Sequence, residues 1–126
     1  MMATVNLKSA EFEGVISKPG TVIVDFWAAW CGPCRQFAPV FEAASEKYPE
    51  IVFAKVDTDA EQEISAAVGI SSIPTLMIFK DGILIFNQPG ALPAPALEEI
   101  ISKVNELDMD GVRAEIEKSE ATKSAD

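Results

Sequence analysis

The feature that most constrains this chain is an apolar run that leads into two closely spaced cysteines. Residues 22–27 read Val-Ile-Val-Asp-Phe-Trp, and Cys31 and Cys34 follow after three further residues. Val, Ile and aromatic residues favour a strand, and apolar residues on both faces indicate a strand that helices cover on both sides. Residues 33–48 have the spacing of an amphipathic helix. A buried strand, a Cys-x-x-Cys sequence and a helix in this order predict a dithiol redox site.

The position of the two cysteines suits thiol chemistry. A thiolate at a helix N-terminus faces unpaired backbone N–H groups and the positive end of the helix dipole, which lower its pKa. We expect Cys31 to be the exposed nucleophile, and Cys34 to attack the mixed disulfide formed there. Gly32 permits a tight turn. Pro33 is tolerated in the first helical turn, where its missing N–H would have no partner.

Other interpretations of the cysteine pair stay open. A structural disulfide across so short a loop would stabilise the fold little. A metal half-site would need ligands from a partner chain, since the sequence has two cysteines and no histidine. The lack of histidine also excludes a Cys–His nucleophile pair. Any proton carrier must therefore be a carboxylate, a lysine or the other thiol.

Length and charge limit the classes of partner. The 126 residues suit one domain, and the net charge of −10 argues against binding to nucleic acid or to anionic membranes. No apolar run approaches the roughly 18 residues of a membrane span. The start at Met1 lacks the pattern of a signal peptide. We therefore expect a cytoplasmic monomer, in a reducing compartment where a cysteine pair is more often catalytic than structural.

The remaining chain alternates strand-like and helix-like segments, followed by a segment of different composition. Strands are predicted at residues 3–6, 21–27, 51–56, 75–80 and 83–86, and helices at 9–16, 33–48, 60–68 and 93–107. The turn signal Asp81-Gly82 predicts an antiparallel hairpin between the last two strands, whereas the earlier strand–helix–strand unit should be parallel.

The acidic segment after residue 107 contains few large apolar side chains. We expect residues 1–107 to form the domain and residues 108–126 to form an acidic C-terminal extension, partly helical or disordered. Val112 and Ile116 would anchor a turn or two of helix, and the composition from Ser119 to Asp126 is typical of disorder.

Five motifs, in their order and spacing over residues 5–106, resemble the thioredoxin family. They are Phe26-Trp27-Ala28-Ala29-Trp30-Cys31-Gly32-Pro33-Cys34, Lys55-Val56-Asp57, Ile73-Pro74-Thr75, Phe79-Lys80-Asp81-Gly82 and Gly90-Ala91-Leu92. Together they are far more specific than Cys-x-x-Cys alone. The resemblance implies an α/β protein with the thioredoxin fold, a central mixed five-stranded sheet flanked by four helices.

The resemblance also implies a function. Members of the family are general protein-disulfide reductases that act by dithiol–disulfide exchange and support cell redox homeostasis. They carry no bound cofactor or metal. A thioredoxin reductase, a flavoprotein that draws on NADPH, regenerates the dithiol. The expected partners are therefore that reductase and disulfide-containing client proteins.

Asp25 and Lys55 match a buried acid and a lysine of the family. Asp25 is the only ionisable group on its strand, and an apolar layer should raise its pKa by desolvation. The resemblance implies that it accepts the proton of Cys34, which we expect to pass through water; alternatively, backbone groups satisfy a merely polar Asp25. A buried Lys55 would oppose the rise in the pKa of Asp25, but a lysine that reaches the surface is equally compatible with the sequence.

The resemblance implies a substrate groove with an apolar rim. Ile73-Pro74 matches the family's cis-proline loop, whose backbone would pair with an extended client segment. The residues of the rim would be Trp30, Gly32, Pro33, Ile73, Gly90 and Ala91. Trp30 could instead pack in the core. Pro89 departs from the family pattern, because it removes an N–H at the rim and could narrow the range of partners.

Two rival functions belong to other classes. A dithiol oxidase or isomerase would work in an oxidising compartment, but Gly-Pro between the cysteines is typical of the reducing members. A redox potential far above the cytosolic glutathione poise would favour that rival. A non-enzymatic subunit would use the same surface as a platform, and full complementation by a Cys31→Ser/Cys34→Ser variant would favour it. A glutaredoxin is disfavoured, since the glutathione-binding double glycine is missing.

Overall fold

The computed structural model describes residues 3–124, with side chains through residue 120. Within this part of the chain, five strands and five helices are present. The strands are β1 (Val5–Asn6), β2 (Thr21–Trp27), β3 (Val52–Asp57), β4 (Thr75–Lys80) and β5 (Ile83–Pro89). The helices are α1 (Ser9–Ile16), α2 (Gly32–Lys47), α3 (Gln62–Ala67), α4 (Ala94–Asn105) and α5 (Met109–Ser124).

The strands form one mixed sheet in the order β1-β3-β2-β4-β5. The central strand β2 runs parallel to β3 and antiparallel to β4, and β5 returns antiparallel to β4. The predicted parallel unit and hairpin are both confirmed. This is the thioredoxin fold, and it places the C-terminal end of β2, where the cysteines follow, in the middle of the sheet.

The two faces of the sheet carry separate cores because side chains alternate along each strand. On the face that we call the α2 face, Ile23 of β2 packs with Phe37 and Phe41 of α2 and with Leu97 of α4. On the opposite, α1 face, the buried residues are Leu7, Phe12, Val22, Val24, Phe26, Ala54, Val56, Met77 and Phe79. Every residue from Thr21 to Phe26 is buried, so β2 is covered on both sides as predicted.

Strand β5 is longer than predicted. It continues to Pro89 instead of ending at Phe86, because Asn87 and Gln88 pair with Met77 and Leu76 of β4 through their backbones. Polar side chains at a sheet edge do not prevent this pairing, since the ladder uses main-chain groups alone.

Helix α5 is the fifth helix, one more than the four expected. Met109 at its start is buried, and Arg113 lies 3.8 Å from a carboxylate oxygen of Asp81 in the β4–β5 turn. The helix continues to Ser124, so the predicted disorder from residue 119 is wrong up to that point. The expectations for the start at Met1 and for residues 125–126 lie outside the described part of the chain.

None of the helices between residues 3 and 124 has both the length and the apolar character that a membrane span requires.

Candidate active site

The cysteines lie where β2 hands over to α2. Strand β2 ends at Trp27, and Cys31 adopts extended backbone angles (φ −88°, ψ 113°) as the N-cap of α2. An N-cap side chain normally accepts a hydrogen bond from an amide of the first helical turn. Here the backbone N–H of Cys34 donates to Sγ of Cys31 at 3.2 Å. A helix amide therefore points at the sulfur that the sequence predicts to be the nucleophile.

A disulfide joins the two cysteines, whose Cα atoms are 5.2 Å apart. The pair packs with Ala28 and against Trp27 and Ile73. In this oxidised form Cys31 is 5% and Cys34 is 3% exposed. The expectation of an exposed Cys31 is wrong for the disulfide form, because these apolar neighbours cover both residues.

Asp25 lies on the α2 face of β2 and is 1% exposed. Neither of its carboxylate oxygens has a hydrogen-bond partner within the described residues, so the alternative of a backbone-satisfied Asp25 is not what the fold contains. Burial raises the pKa of Asp25 from 3.8 to about 7, and the positive charge of Lys55 lowers it by a smaller amount. This carboxyl group can therefore take up or release a proton near neutral pH.

Lys55 lies on β3 directly beside Asp25 in the sheet register. Its side chain is 15% exposed, and Nζ lies 3.9 Å from Oε1 of Glu42 on α2. Nζ also lies 4.9 Å from the centroid of the Trp27 ring, within the range of a cation–π contact. The ammonium group is thus held among these side chains rather than extended into solvent, and it opposes the rise in the pKa of Asp25 as predicted.

The Ile73–Pro74 peptide bond is cis, as the resemblance implies. The carbonyl oxygen of Ile73 lies 3.8 Å from Sγ of Cys31. The N–H of Gly90 donates to the carbonyl oxygen of Pro74 at 2.7 Å, and Gly90 has a φ of +105°, which favours glycine. The end of β5 is thereby joined to the loop beside the sulfurs, with the exposed Ala91 following.

Trp30 is 68% exposed, so the core-packing alternative for this residue is wrong. Its Nε1–H donates to a carboxylate oxygen of Asp59 at 2.9 Å, which fixes the indole over the surface. Sequence reasoning missed Asp59 because Asp57, Thr58 and Asp59 together indicate a helix cap. Asp57 instead stabilises the turn that follows β3, since its Oδ1 accepts from the N–H groups of Asp59 and Ala60, whereas α3 begins only after Glu61.

The predicted groove residues divide into two sets. Trp30 and Ile73 line one open pocket of about 350 Å³ beside the disulfide. Gly32 is partly exposed and Pro33 exposed at the start of α2, where they border the cysteines in sequence. Direct contacts thus connect Cys31 with Ile73 and Pro74 with Gly90, whereas Lys55 lies beside Asp25 in the sheet.

No group of three or more Cys, Asp or Glu side chains in the described part of the chain is arranged to hold a metal ion. The two sulfurs are bonded to each other as a disulfide.

Comparison with known proteins decides the family. The family model described as Thioredoxin matches residues 3–103. The chain belongs to the thioredoxin family. Membership supports dithiol–disulfide exchange at Cys31 and Cys34 and makes the protein an oxidoreductase with a redox-active disulfide.

Individual relatives agree with this assignment. A putative thioredoxin 2 of Streptomyces coelicolor is 49% identical over 121 residues, which are 96% of this chain and 90% of the relative. A thioredoxin of Bacillus subtilis is 39% identical over 103 residues, 81% of this chain and 98% of the relative. The solved structure of Plasmodium falciparum thioredoxin has a TM-score of 0.72 and 40% identity, and the match covers 79% of this chain and 97% of that one. The Streptomyces alignment is long enough to reach into residues 108–126.

Proposed function

We propose that this thioredoxin-family protein is a general protein-disulfide reductase of the cytoplasm that acts as a monomer. Cys31 and Cys34 carry the exchange, and a thioredoxin reductase drawing electrons from NADPH through its flavin restores the dithiol. The observation that carries the proposal is the amide of Cys34, which lies 3.2 Å from Sγ of Cys31 and favours a thiolate there.

The first step is attack on the client disulfide. The thiolate of Cys31 forms a bond to one client sulfur, and the other client sulfur leaves with the electron pair of the broken S–S bond. The helix amide and the N-terminal end of the α2 dipole stabilise the attacking thiolate, because both oppose its negative charge. The product is a mixed disulfide between Cys31 and the client.

The second step releases the client. Cys34 gives its proton to Asp25, through a water molecule in our proposal, and the resulting thiolate attacks Sγ of Cys31. The bond between Sγ of Cys31 and the client sulfur breaks, and this client sulfur leaves and takes up a proton. Two electrons have then passed from the dithiol to the client, and the protein holds the Cys31–Cys34 disulfide. Asp25 suits this role because its pKa of about 7 lets it accept the proton and return it.

Client recognition is assigned to the surface around the disulfide. In this proposal the backbone of Ile73, held by the cis bond to Pro74, pairs with an extended client segment. The apolar rim is formed by Trp30, Gly32, Pro33, Ile73, Gly90 and Ala91. Because backbone pairing makes weak demands on side chains, such a groove accepts many sequences. Pro89 removes one N–H from the rim and narrows that range.

The proposed division of the chain leaves the chemistry to residues 1–107. Every residue assigned to the exchange or to the groove lies there, and residues 108–126 form an extension attached beside the β4–β5 turn. Deletion of the extension should therefore leave the exchange reaction intact.

The test is NADPH-coupled reduction of insulin with a supplied thioredoxin reductase. The wild-type protein should turn over many times, Cys31→Ser should be inactive, and Cys34→Ser should accumulate the mixed disulfide. Lys118→Ser, far along the extension, serves as the matched surface control and should be fully active. Absence of wild-type turnover, or a redox potential far above the glutathione poise, would contradict the proposal and favour the oxidase rival. Full complementation by the double serine variant would favour the binding-subunit rival.

A further inference from the structure

Glu42 is a second acidic side chain enclosed on the α2 face, and the exchange chemistry described above does not use it. Its side chain is 18% exposed, and its Oε1 accepts a hydrogen bond from the hydroxyl of Thr4 at 2.7 Å. The same Oε1 lies 3.9 Å from Nζ of Lys55. Its Oε2 is buried with no hydrogen-bond partner among residues 3–120. A buried carboxylate oxygen without a partner is unfavourable, and a nearby cation compensates it.

Other charged groups near Lys55 are already engaged. Lys8, Asp57 and Glu61 line a pocket of about 330 Å³ that also reaches Lys55. Asp57 accepts two backbone N–H groups through its Oδ1, and Glu61 accepts the N–H of Ser9 at 2.8 Å. These carboxylates have fixed partners of their own and depend less on the ammonium group.

The groups that face Asp25 are few. On the neighbouring strands it is flanked by Lys55 of β3 and by the apolar Leu76 of β4. From α2, Glu42 is largely covered and lies beside Lys55, whereas the buried Cys34 is held in the disulfide and carries no ionisable thiol in the oxidised protein. Lys55 is therefore the cation shared by two poorly satisfied carboxyl groups, one on the sheet and one on the helix.

We propose that Glu42 is a positioning residue, which holds the ammonium group of Lys55 toward α2 and the Trp27 ring and so limits the positive charge that reaches Asp25. This inference rests on the proposed function only for its meaning in catalysis, since it gives Asp25 the affinity for a proton that the release step needs. The geometry does not depend on the proposed function: Nζ of Lys55 lies 3.9 Å from Oε1 of Glu42 and 4.9 Å from the centroid of the Trp27 ring.

The direction of the effect follows from simple electrostatics. With Glu42 in place, Lys55 divides its attraction between two carboxyl groups, and burial dominates the pKa of Asp25. Without the negative charge of Glu42, the flexible lysine side chain can turn toward Asp25 and favour its ionised form. The pKa of Asp25 should then fall toward its ordinary value.

The experiment is a carboxyl-carbon NMR titration of Asp25 in the full-length, oxidised protein. Glu42→Gln keeps the shape and the acceptor for Thr4 but removes the charge, and it should lower the pKa of Asp25 by about one unit. Glu50→Gln makes the same change of net charge at an exposed position near the end of α2, and it should leave that pKa unchanged. Equal pKa values in Glu42→Gln and the wild type would overturn the proposal.

A second variant tests whether the effect passes through Lys55. Lys55→Met removes the ammonium group but keeps most of the apolar stem. In this background Glu42→Gln should shift the pKa of Asp25 by less than a third of its shift in the wild-type background. A full shift without Lys55 would mean that Glu42 acts on Asp25 directly, and the positioning role would be wrong. If Glu42→Gln fails to fold, Glu42→Met, which removes both buried oxygens, replaces it in the same two backgrounds.

Insulin reduction by the wild type separates this inference from the proposed function. An active wild type whose Asp25 titration ignores Glu42 refutes the positioning role and leaves the reductase proposal standing. An inactive wild type that still shows the Lys55-dependent shift refutes the reductase proposal and supports the positioning role.

Discussion

The two faces of the sheet are built from the same strands but differ in chemistry. On the α1 face, Val24 and Phe26 of β2 belong to an apolar cluster, and the buried hydroxyl of Thr75 beside Phe26 donates a hydrogen bond to the carbonyl oxygen of Ser72. On the α2 face, one residue away along the strand, Asp25 is equally buried and lacks a hydrogen-bond partner in the described part of the chain. Lys55 stands next to it on β3.

The difference between the two faces lies in the cost of burying a carboxyl group. Each apolar side chain buried on a face of the sheet stabilises the folded state. A buried carboxyl group lowers the stability of the fold unless it stays protonated or lies near a cation. The buried acid lies toward the end of β2 that leads to the cysteines, while Ile23, two residues earlier on the same face, belongs to an apolar core. In the proposed mechanism, this position lets Asp25 exchange a proton with Cys34.

The largest effect should come from placing a carboxyl group on the wrong face. Val24→Asp moves the acid by one residue, to a position 0% exposed with no basic residue in the surrounding apolar cluster. We expect a loss of more than about 4 kcal/mol in the free energy of unfolding at pH 7. Urea denaturation measures this, with Val24→Ala as the control for lost packing. A loss no greater than that of the control would mean that the faces tolerate charge alike.

The second effect is a pH dependence that belongs to the α2 face alone. Asp25 has a pKa of about 7 in the folded protein and an ordinary value of 3.8. Between these values the folded state binds more protons than the unfolded state, so stability falls as the pH rises from about 4 to 7 and stays reduced above. Asp25→Asn should abolish this part of the pH dependence, which amounts to roughly 4 kcal/mol in the free energy of unfolding. Denaturation midpoints at pH 4.5 and 8.5 test it, and parallel pH profiles of variant and wild type would argue against a buried, protonated Asp25.

A smaller shift should follow from removing the cation. Lys55→Met deletes the charge that lowers the pKa of Asp25, so that pKa should rise by about one unit. In the variant, the pH range over which stability is lost should rise with it, and so should the pH above which Asp25 is ionised and able to accept a proton from Cys34. A carboxyl-carbon titration reports the shift directly. A lower pKa in the variant would contradict the account of the α2 face.

The smallest expected effect concerns the edge of the α2 face. Thr4→Val removes the hydroxyl that donates to Glu42 at 2.7 Å and leaves a part-buried acceptor without its donor. We expect a loss of about 1 kcal/mol in the free energy of unfolding. Ser17→Ala, which removes an exposed hydroxyl bonded to the carbonyl of Glu13, is the control and should change stability less. Equal losses would show that the enclosed contact has no special weight.

The sequence was sufficient for features set by local pattern. The apolar run of β2 predicts its two-sided burial, and the single Asp25 within that run predicts an acid with a raised pKa. Both are found in the structure. The cysteines at the start of α2 were likewise predictable, because strand, turn and helix follow one another directly.

Features that depend on distant residues could not be predicted in this way. Glu42 stands beside Phe41 on an amphipathic helix, where a glutamate normally faces solvent. Its enclosure depends on Thr4, just before β1, and on Lys55 of β3. Helix α5 has few apolar residues and therefore no clear hydrophobic periodicity, so its length could not be predicted from the sequence. The covering of Cys31 depends on Ile73, which lies far along the chain.

The most direct test of the central claim is the reactivity of the two thiols in the reduced protein. Limited alkylation at pH 7, followed by peptide mapping, measures the rate of labelling at each cysteine. Because the amide of Cys34 donates to Sγ of Cys31, we expect Cys31 to be labelled at least ten times faster than Cys34. Faster labelling of Cys34, or no labelling of either thiol, would contradict the account.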